Sequence, residues 1–450
     1  MEKLSRAVSE YMQNHRNEII ADLFDLVRIP SIAQMGEVGY PFGKNVDDVL
    51  SAAAEKFQKS GVPMTVYHDR GYALGECPGE GDGIGIFAHA DVVPVNDDWI
   101  KTTPFDPVEE NGVLYGRGVN DNKSGIVGAL YALRALKACG VELNNRITVF
   151  VGGNEESGMC DMDAYLKHER MPEVSVVPDA TFPVGRGEKG ILRVDCRSKQ
   201  PLKDIVKFNG GNAYNVVLDH VDIMLSNGES FSVDGLTSHA AHPAGSVNAA
   251  GKAAEKLLTM SVCEADKEIL RSLVQIVGTY YGENLSIASE GVFGKLTCAN
   301  GITYVDDDGH LVFTLDIRYG TEVAGDALVE KLTASASEYG FTVSVKDNRG
   351  GFLLDEENPY LQLMLDTCRK FYNEPDAQSR LLSGGTYARK LKNAISIDNA
   401  FGKLVGVILP KGHGAAHQSD EAINVNALLN GIACLAVIIA RLDEQLSEDK

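Results

Sequence analysis

The chain is short of positive charge: 42 Lys and Arg stand against 63 Asp and Glu, for a formal net charge of −21. Nucleic acid calls for a clustered basic surface and an anionic membrane attracts one, so this balance argues against both partners. It is silent on the fold. Long hydrophobic runs are missing too. None approaches the ~20 residues of a membrane span; the longest candidate, residues 427–442, contains Asn430 and Arg441 and reads as a core helix. The first 27 residues lack an apolar signal core and instead carry Leu4, Val8, Tyr11, Ile19, Leu23 and Leu26 at helical spacing. The eight cysteines lie far apart with no CxxC pair. We therefore expect reduced, mostly buried thiols and a cytoplasmic location. Internal repeats, low-complexity tracts and long Pro/Ser linkers are also lacking.

What is present is an ordinary globular composition, 44% hydrophobic and 23% charged, spread over 450 residues. That length exceeds what one core usually serves, so two domains are expected. The first 180 or so residues alternate strands and helices: short strands at 84–87, 146–151 and 174–177, and a helix over 122–139 with Ile126, Leu130, Leu133 and Leu136 on one face. This rhythm predicts an α/β domain with a largely parallel or mixed central sheet covered by helices, whose sites form beyond the carboxyl ends of strands. From about Gly187 the texture changes to strands at 191–196, 228–233 and 311–317 and helices at 248–259, 265–279 and 324–339. The last hundred residues return to the earlier style, with a helix at 359–372, a strand at 403–408, a Gly/His-rich loop and the final apolar helix. The expected organisation is a discontinuous catalytic domain, 1–186 plus 355–450, interrupted by an inserted α+β lid domain at 187–354.

The chemistry-bearing residues sit at element ends. His89 and Asp91 are two apart on a strand and so face one way; an imidazole that binds metal commonly gives its other N–H to a carboxylate or carbonyl. Asp121 follows a glycine-rich loop and begins a helix, where an Asp also serves as an ordinary N-cap. Glu155 and Glu156 follow a buried strand after two glycines, and such adjacent like charges need a cation nearby or one raised pKa. The pairs Glu109–Glu110 and Glu356–Glu357 read as solvated surface. Asp179 ends another buried strand, and His417 lies in a small-residue loop with His413 as a competing ligand. Singly each motif is weak. Together they offer two imidazoles and several carboxylates, enough for a two-metal site with hard and borderline donors.

The ordered set HADVVP, GRGVNDNKSG, NEESG, VVPD and HQSDE resembles the dinuclear-metal family of dipeptidases, aminoacylases, carboxypeptidases and succinyl-diaminopimelate desuccinylase, and within it bacterial PepV-type dipeptidases. The resemblance covers nearly the whole chain. It implies that His89 and Asp179 hold one divalent metal and Glu156 and His417 the other. Asp121 bridges both through a cis peptide bond to Asn122, Glu155 is the general base, and Asp91 supports the site from behind. Zn, Mn or Co would suit such ligands.

In the insertion, the segment around His239 resembles the family stretch whose His reaches the reacting carbonyl oxygen, although His242 stands where a small residue is usual. Asn215 matches a polar substrate contact, with Leu218 in place of the usual Pro. Arg318 matches an arginine for a substrate carboxylate, against the plainer alternative of an ion pair at a strand end. Gly384 and Gly385, in Ser383-Gly-Gly-Thr-Tyr-Ala-Arg389, match a loop whose backbone holds the substrate's C-terminal end. The implied activity is hydrolysis of dipeptides by a monomer through a metal-activated water. A deacylase of N-acyl amino acids, or another amidohydrolase of the family, would share the same metal site; a non-catalytic metal-binding protein is the alternative of a different class.

Overall fold

Alternating apolar residues in the first part of the chain pair into a mixed sheet in the computed structural model, which describes every residue except Met35, Glu37, Gly402, Lys403, Val405, Gly406, Asp449 and Lys450. The chain divides into two compact units. The first comprises Met1–Arg186, Leu354–Arg380 and Thr386–Lys450, and the second Gly187–Leu353 and Leu381–Gly385.

In the first unit the strands run in the order Met64–Tyr67, Tyr72–Cys77, Asn145–Gly152, Glu80–His89, Val174–Val177, Ala394–Ile397 and Val184–Glu188. Glu80–His89 is parallel to both of its neighbours, and Ala394–Ile397 is parallel to Val174–Val177. The outer pairs are antiparallel. Because successive side chains point to opposite faces, Ile84, Ile86 and Ala88 enter the main core with Ile147, Val149 and Val151. Phe87 and Phe150, opposite each other in register, face the other way into a cluster with Tyr72, Tyr165 and Tyr387. His89, two residues beyond Phe87, shares this second face at the strand's carboxyl end.

Helix Lys123–Ala138 packs its buried face into the main core. It ends in a Schellman motif, in which Val141 N–H reaches Leu136 O and Gly140, at φ +73°, supplies the left-handed residue. The apolar C-terminal stretch is the helix Val425–Glu448. It is long and apolar enough to cross a membrane, but most of it is buried inside this core. The helical spacing near the start resolves into two helices, Glu2–Asn14 and Arg16–Val27, separated at His15.

The second unit holds an antiparallel sheet in which Gly190–Ser198 lies between Leu311–Tyr319 and Phe341–Arg349. A three-stranded sheet of Ile205–Asn209, His220–Leu225 and Ser230–Asp234 accompanies helices Ala249–Leu258, Glu264–Val277 and Gly325–Glu338. The strand expected from Gly228 starts two residues later, because Gly228 at φ +90° makes the hairpin turn. Half of the strand expected at 403–408, Lys403, Val405 and Gly406, lies outside the described residues, and Leu404, Val407 and Ile408 are not in a strand. A small sheet near the site went unforeseen: Ala422–Asn424 pairs with Val113–Tyr115, which pairs with Val108–Glu110. It lays the His417 loop beside the turn that carries Asp121.

Candidate active site

Three parallel strands deliver their carboxyl ends to one place: His89 closes the first, Glu155 and Glu156 follow the second, and Asp179 follows the third. Asp121 precedes helix Lys123–Ala138, and His417, at φ +66°, comes from the loop before Ala422–Asn424. Asp121 divides its carboxylate between the two imidazoles: Oδ1 lies 3.0 Å from His89 Nε2 and Oδ2 lies 3.0 Å from His417 Nε2. Asp179 is 3.5 Å from His89 Nε2, and Glu156 is 3.0 Å from His417 Nε2. The ligand atoms of His89, Asp121 and Asp179 fall within 4.8 Å of one another, as do those of Asp121, Glu156 and His417. Two imidazoles and three carboxylates sharing one Asp are a donor set that fits a pair of divalent cations.

The electrostatics of the metal-free chain point the same way. Burial alone would raise Asp121, but hydrogen bonds from His417 and His89 override it and hold that carboxyl well below its usual range. Burial would likewise lower His417, yet Asp121 and Glu156 push it up to about 11. Glu156 rises to about 7 through burial and repulsion from Asp121. Glu155 is pushed well above the carboxylate range by burial, with Asp179, Glu156 and Asp91 adding repulsion that His89 offsets in part. Its Oε1 is buried with no hydrogen-bond partner among the described residues.

Around this cluster lies a layer of buried groups, of which the sequence pointed to Asp91 but not to the partners of its carboxylate, nor to the roles of Asn122, Arg117 and Glu421. His89 Nδ1 is 2.9 Å from the backbone carbonyl of Asp91 and 3.5 Å from its carboxylate. That carboxylate instead accepts the N–H groups of Glu155 at 3.0 Å and Glu156 at 3.1 Å. Asn122 donates to Asp179 Oδ1 and to the carbonyl of Pro178. Glu421 accepts the backbone N–H groups of Gly118, Asn120 and Asp121 and pairs with Arg117 at 2.7 Å, both partners being fully buried. The Asp121–Asn122 peptide bond is cis. His413 stays out of both ligand groups; its Nδ1 is 2.7 Å from Asp420, which also accepts the N–H groups of Ile100 and Lys101.

The family model for peptidase family M20/M25/M40 matches residues 85–441. The chain belongs to that family. It is 25% identical over 463 residues to a protein of Staphylococcus aureus (strain MRSA252) named as a dipeptidase, covering 94% of this chain and 96% of that one. Among solved structures, human carnosine dipeptidase 1 superposes with a TM-score of 0.65 at 15% identity, over 98% of this chain and 99% of the other. The yeast dipeptidase Dug1p gives 0.65 at 12% identity, over 98% of both chains. At these identities the two structures bear on the fold alone.

In this M20-family chain the remaining candidates lie in the second unit. Asn215 and His239 come from neighbouring segments joined by the Val216–His239 bridge, in which Ala240 N–H reaches the carbonyl of Asn215. His239 Nδ1 accepts the N–H of Ala241 at 3.1 Å, which makes Nε2 the ring nitrogen suited to donate. Arg318 is buried on Leu311–Tyr319. Asp316 takes its Nε and one terminal nitrogen, and the other terminal nitrogen is 3.3 Å from the carbonyl of Ser383. Gly384 and Gly385 follow Ser383 within the short segment Leu381–Gly385. A third group of candidate metal ligands, Asp204, Cys263 and Asp266, has a simpler account. Its two carboxylates accept backbone N–H groups of Lys203, Asp204 and Cys263 and brace the start of helix Glu264–Val277.

Proposed function

We propose that this chain is a metal-dependent dipeptidase, and one observation carries the reading: the two oxygens of Asp121 each meet a different imidazole, with the buried carboxyl of Glu155 on the turn beside them. His89, Asp121 and Asp179 would hold one divalent cation and Asp121, Glu156 and His417 the second, with Zn favoured and Mn or Co also suited. Such ions, when bound, supply Lewis acidity that polarises an amide carbonyl and acidifies water at neutral pH.

The chain's own groups do the rest. With the cluster's negative charge offset, Glu155 is left ionised, and as general base it takes a proton from the attacking water and delivers it to the departing amine. Asp91 fixes the backbone at Glu155 and Glu156. We assign the first unit the catalytic part and the second the part of a lid. His239 Nε2–H donates to the carbonyl oxygen as charge develops there, a contribution of ~10²–10³ in rate for donors of this kind. Asn215 and the Gly384–Gly385 backbone position the substrate. Arg318, oriented by Asp316, retains N–H groups for the substrate's C-terminal carboxylate.

Several features support dipeptides over other amides. The carboxylates around the metals favour a free ammonium group at one end, Arg318 reads a carboxylate at the other, and the matched S. aureus relative is named as a dipeptidase. On the same reading the enzyme works as a cytoplasmic monomer, its eight cysteines kept as free thiols. A panel of dipeptides, tripeptides and N-acyl amino acids assayed with added Zn or Mn tests the assignment. Dipeptides should be cleaved fastest; faster turnover of N-acyl amino acids would place the enzyme with the deacylases.

A further inference from the structure

The turn that presents Glu155 is held by its backbone. Four consecutive N–H groups, those of Gly153, Asn154, Glu155 and Glu156, all end on buried carboxylates. Asp91 takes the last two, one on each oxygen. The first two go to Asp161, whose Oδ2 accepts Gly153 N–H at 2.8 Å and Asn154 N–H at 3.0 Å. The same oxygen receives the hydroxyl of Tyr387 in a short hydrogen bond, while Oδ1 accepts the N–H of Met162. Neither side chain reaches solvent: Asp161 is fully buried and Tyr387 is 1% exposed.

The approach is close enough to dictate the neighbouring residue. A Cβ on Gly152, at the end of the strand, would lie 1.9 Å from the Tyr387 hydroxyl oxygen and 2.3 Å from Asp161 Oδ2. Helix bracing alone does not explain the pair. Asp161 needs only Oδ1 to serve the first turn of its own helix, Cys160–His168, and Oδ2 is directed away from that helix toward the turn and Tyr387.

We propose that Asp161 is a positioning residue for Glu155 and that the Tyr387 hydroxyl orients it, so that two buried carboxylates, Asp91 and Asp161, together set the angle at which the general base meets the attacking water. The inference rests on the dipeptidase reading only through the role of Glu155; the architecture of the turn is independent of it. A general base displaced by ~1 Å can lose about a hundredfold in rate, whereas the N–H groups that Asp161 holds are those of Gly153 and Asn154, and the N–H of Glu156 stays with Asp91.

Tyr387→Phe removes one hydroxyl and keeps the ring that packs on Phe150 at 5.4 Å; Asp161→Asn removes the charge and one acceptor. Two measurements are made on each. In the metal-free protein, hydrogen exchange of the peptide covering 153–156 should quicken several-fold in Tyr387→Phe and more in Asp161→Asn, with exchange in helix Lys123–Ala138 unchanged. In the metal-loaded protein, kcat on a cleavable dipeptide should fall about tenfold and about a hundredfold respectively, with KM within twofold and full metal content. Placing Tyr387→Phe in a Glu155→Gln background should cost nothing further, because there is no base left to misplace. Unchanged exchange with wild-type kcat in Tyr387→Phe would overturn the proposal, as would a loss shared equally by KM and metal content. If the wild-type protein cleaves no dipeptide, the dipeptidase reading fails while the exchange result still decides whether Asp161 holds the turn.

Discussion

The carboxylate of Glu421 accepts the backbone N–H of Asp121 at 3.0 Å from 300 residues away in sequence, while its other oxygen pairs with Arg117. The residue shared by both groups of ligands is thus held in place through its backbone by a side chain from the far end of the chain. Removing one partner of a fully buried ion pair typically costs about 3–5 kcal/mol. Glu421→Gln should lower the unfolding midpoint and weaken metal retention together, as denaturant titrations and metal analysis on the same samples will show. A variant that unfolds normally and keeps its metal would mean that the pair is dispensable.

Glu155→Gln should separate binding from turnover. The side chain lies outside both ligand groups, so metal content should stay at the wild-type level. kcat should drop ~10²–10⁴-fold, the range for loss of a general base. Loss of metal in this variant would make Glu155 a ligand instead.

The two histidines of the C-terminal loop should behave oppositely. His417→Ala should halve the metal content, since His417, unlike His413, meets both Asp121 and Glu156. His413→Ala should keep the metal and lose stability instead, because His413 braces Asp420 beneath Ile100 and Lys101. Elemental analysis of the two purified variants decides between them.

Metal uptake should expel protons. Without metal, His417 is pushed up to about 11 by Asp121 and Glu156 against the effect of burial, and His89 is raised by Asp121, Asp179 and Asp91, also against burial. Both shifts favour the protonated ring, and an imidazole must be neutral to ligate. A raised histidine pKa stabilises the metal-free fold below the ordinary histidine range, and that contribution is lost as pH climbs through the raised value. Metal affinity should therefore strengthen with pH. Calorimetric titrations in buffers of different ionisation enthalpy should show net proton release, and heats that do not depend on the buffer would contradict this.

Four of the five candidate ligands that the structure brings together could be picked out of the sequence by their place at element ends: His89, Glu156 and Asp179 after strands, and Asp121 before a helix. The expected helix at 359–372 and strand at 174–177 are both found, with the expected bounds. The supporting groups were hidden for a physical reason. Asn122, Glu421 and Asp161 act by bonding backbone groups of other segments, and neither spacing nor composition records where a distant N–H will point. Asp91 shows the limit well: its place beside His89 was readable, but its carboxylate serves the amides of Glu155 and Glu156 rather than the imidazole. The sheet that carries the His417 loop escaped notice because its strands are three residues each, too short to show a period.

The central claim is that two metal ions act on a dipeptide in the site built around Asp121. Its most direct test is to strip the protein of metal, add Zn or Mn in measured equivalents, and follow hydrolysis of one free dipeptide beside its N-acetyl form. Dipeptide turnover should rise steeply only as the second equivalent binds, with the N-acetyl form cleaved far more slowly. Full turnover at one equivalent, or none with both ions bound, would contradict the account.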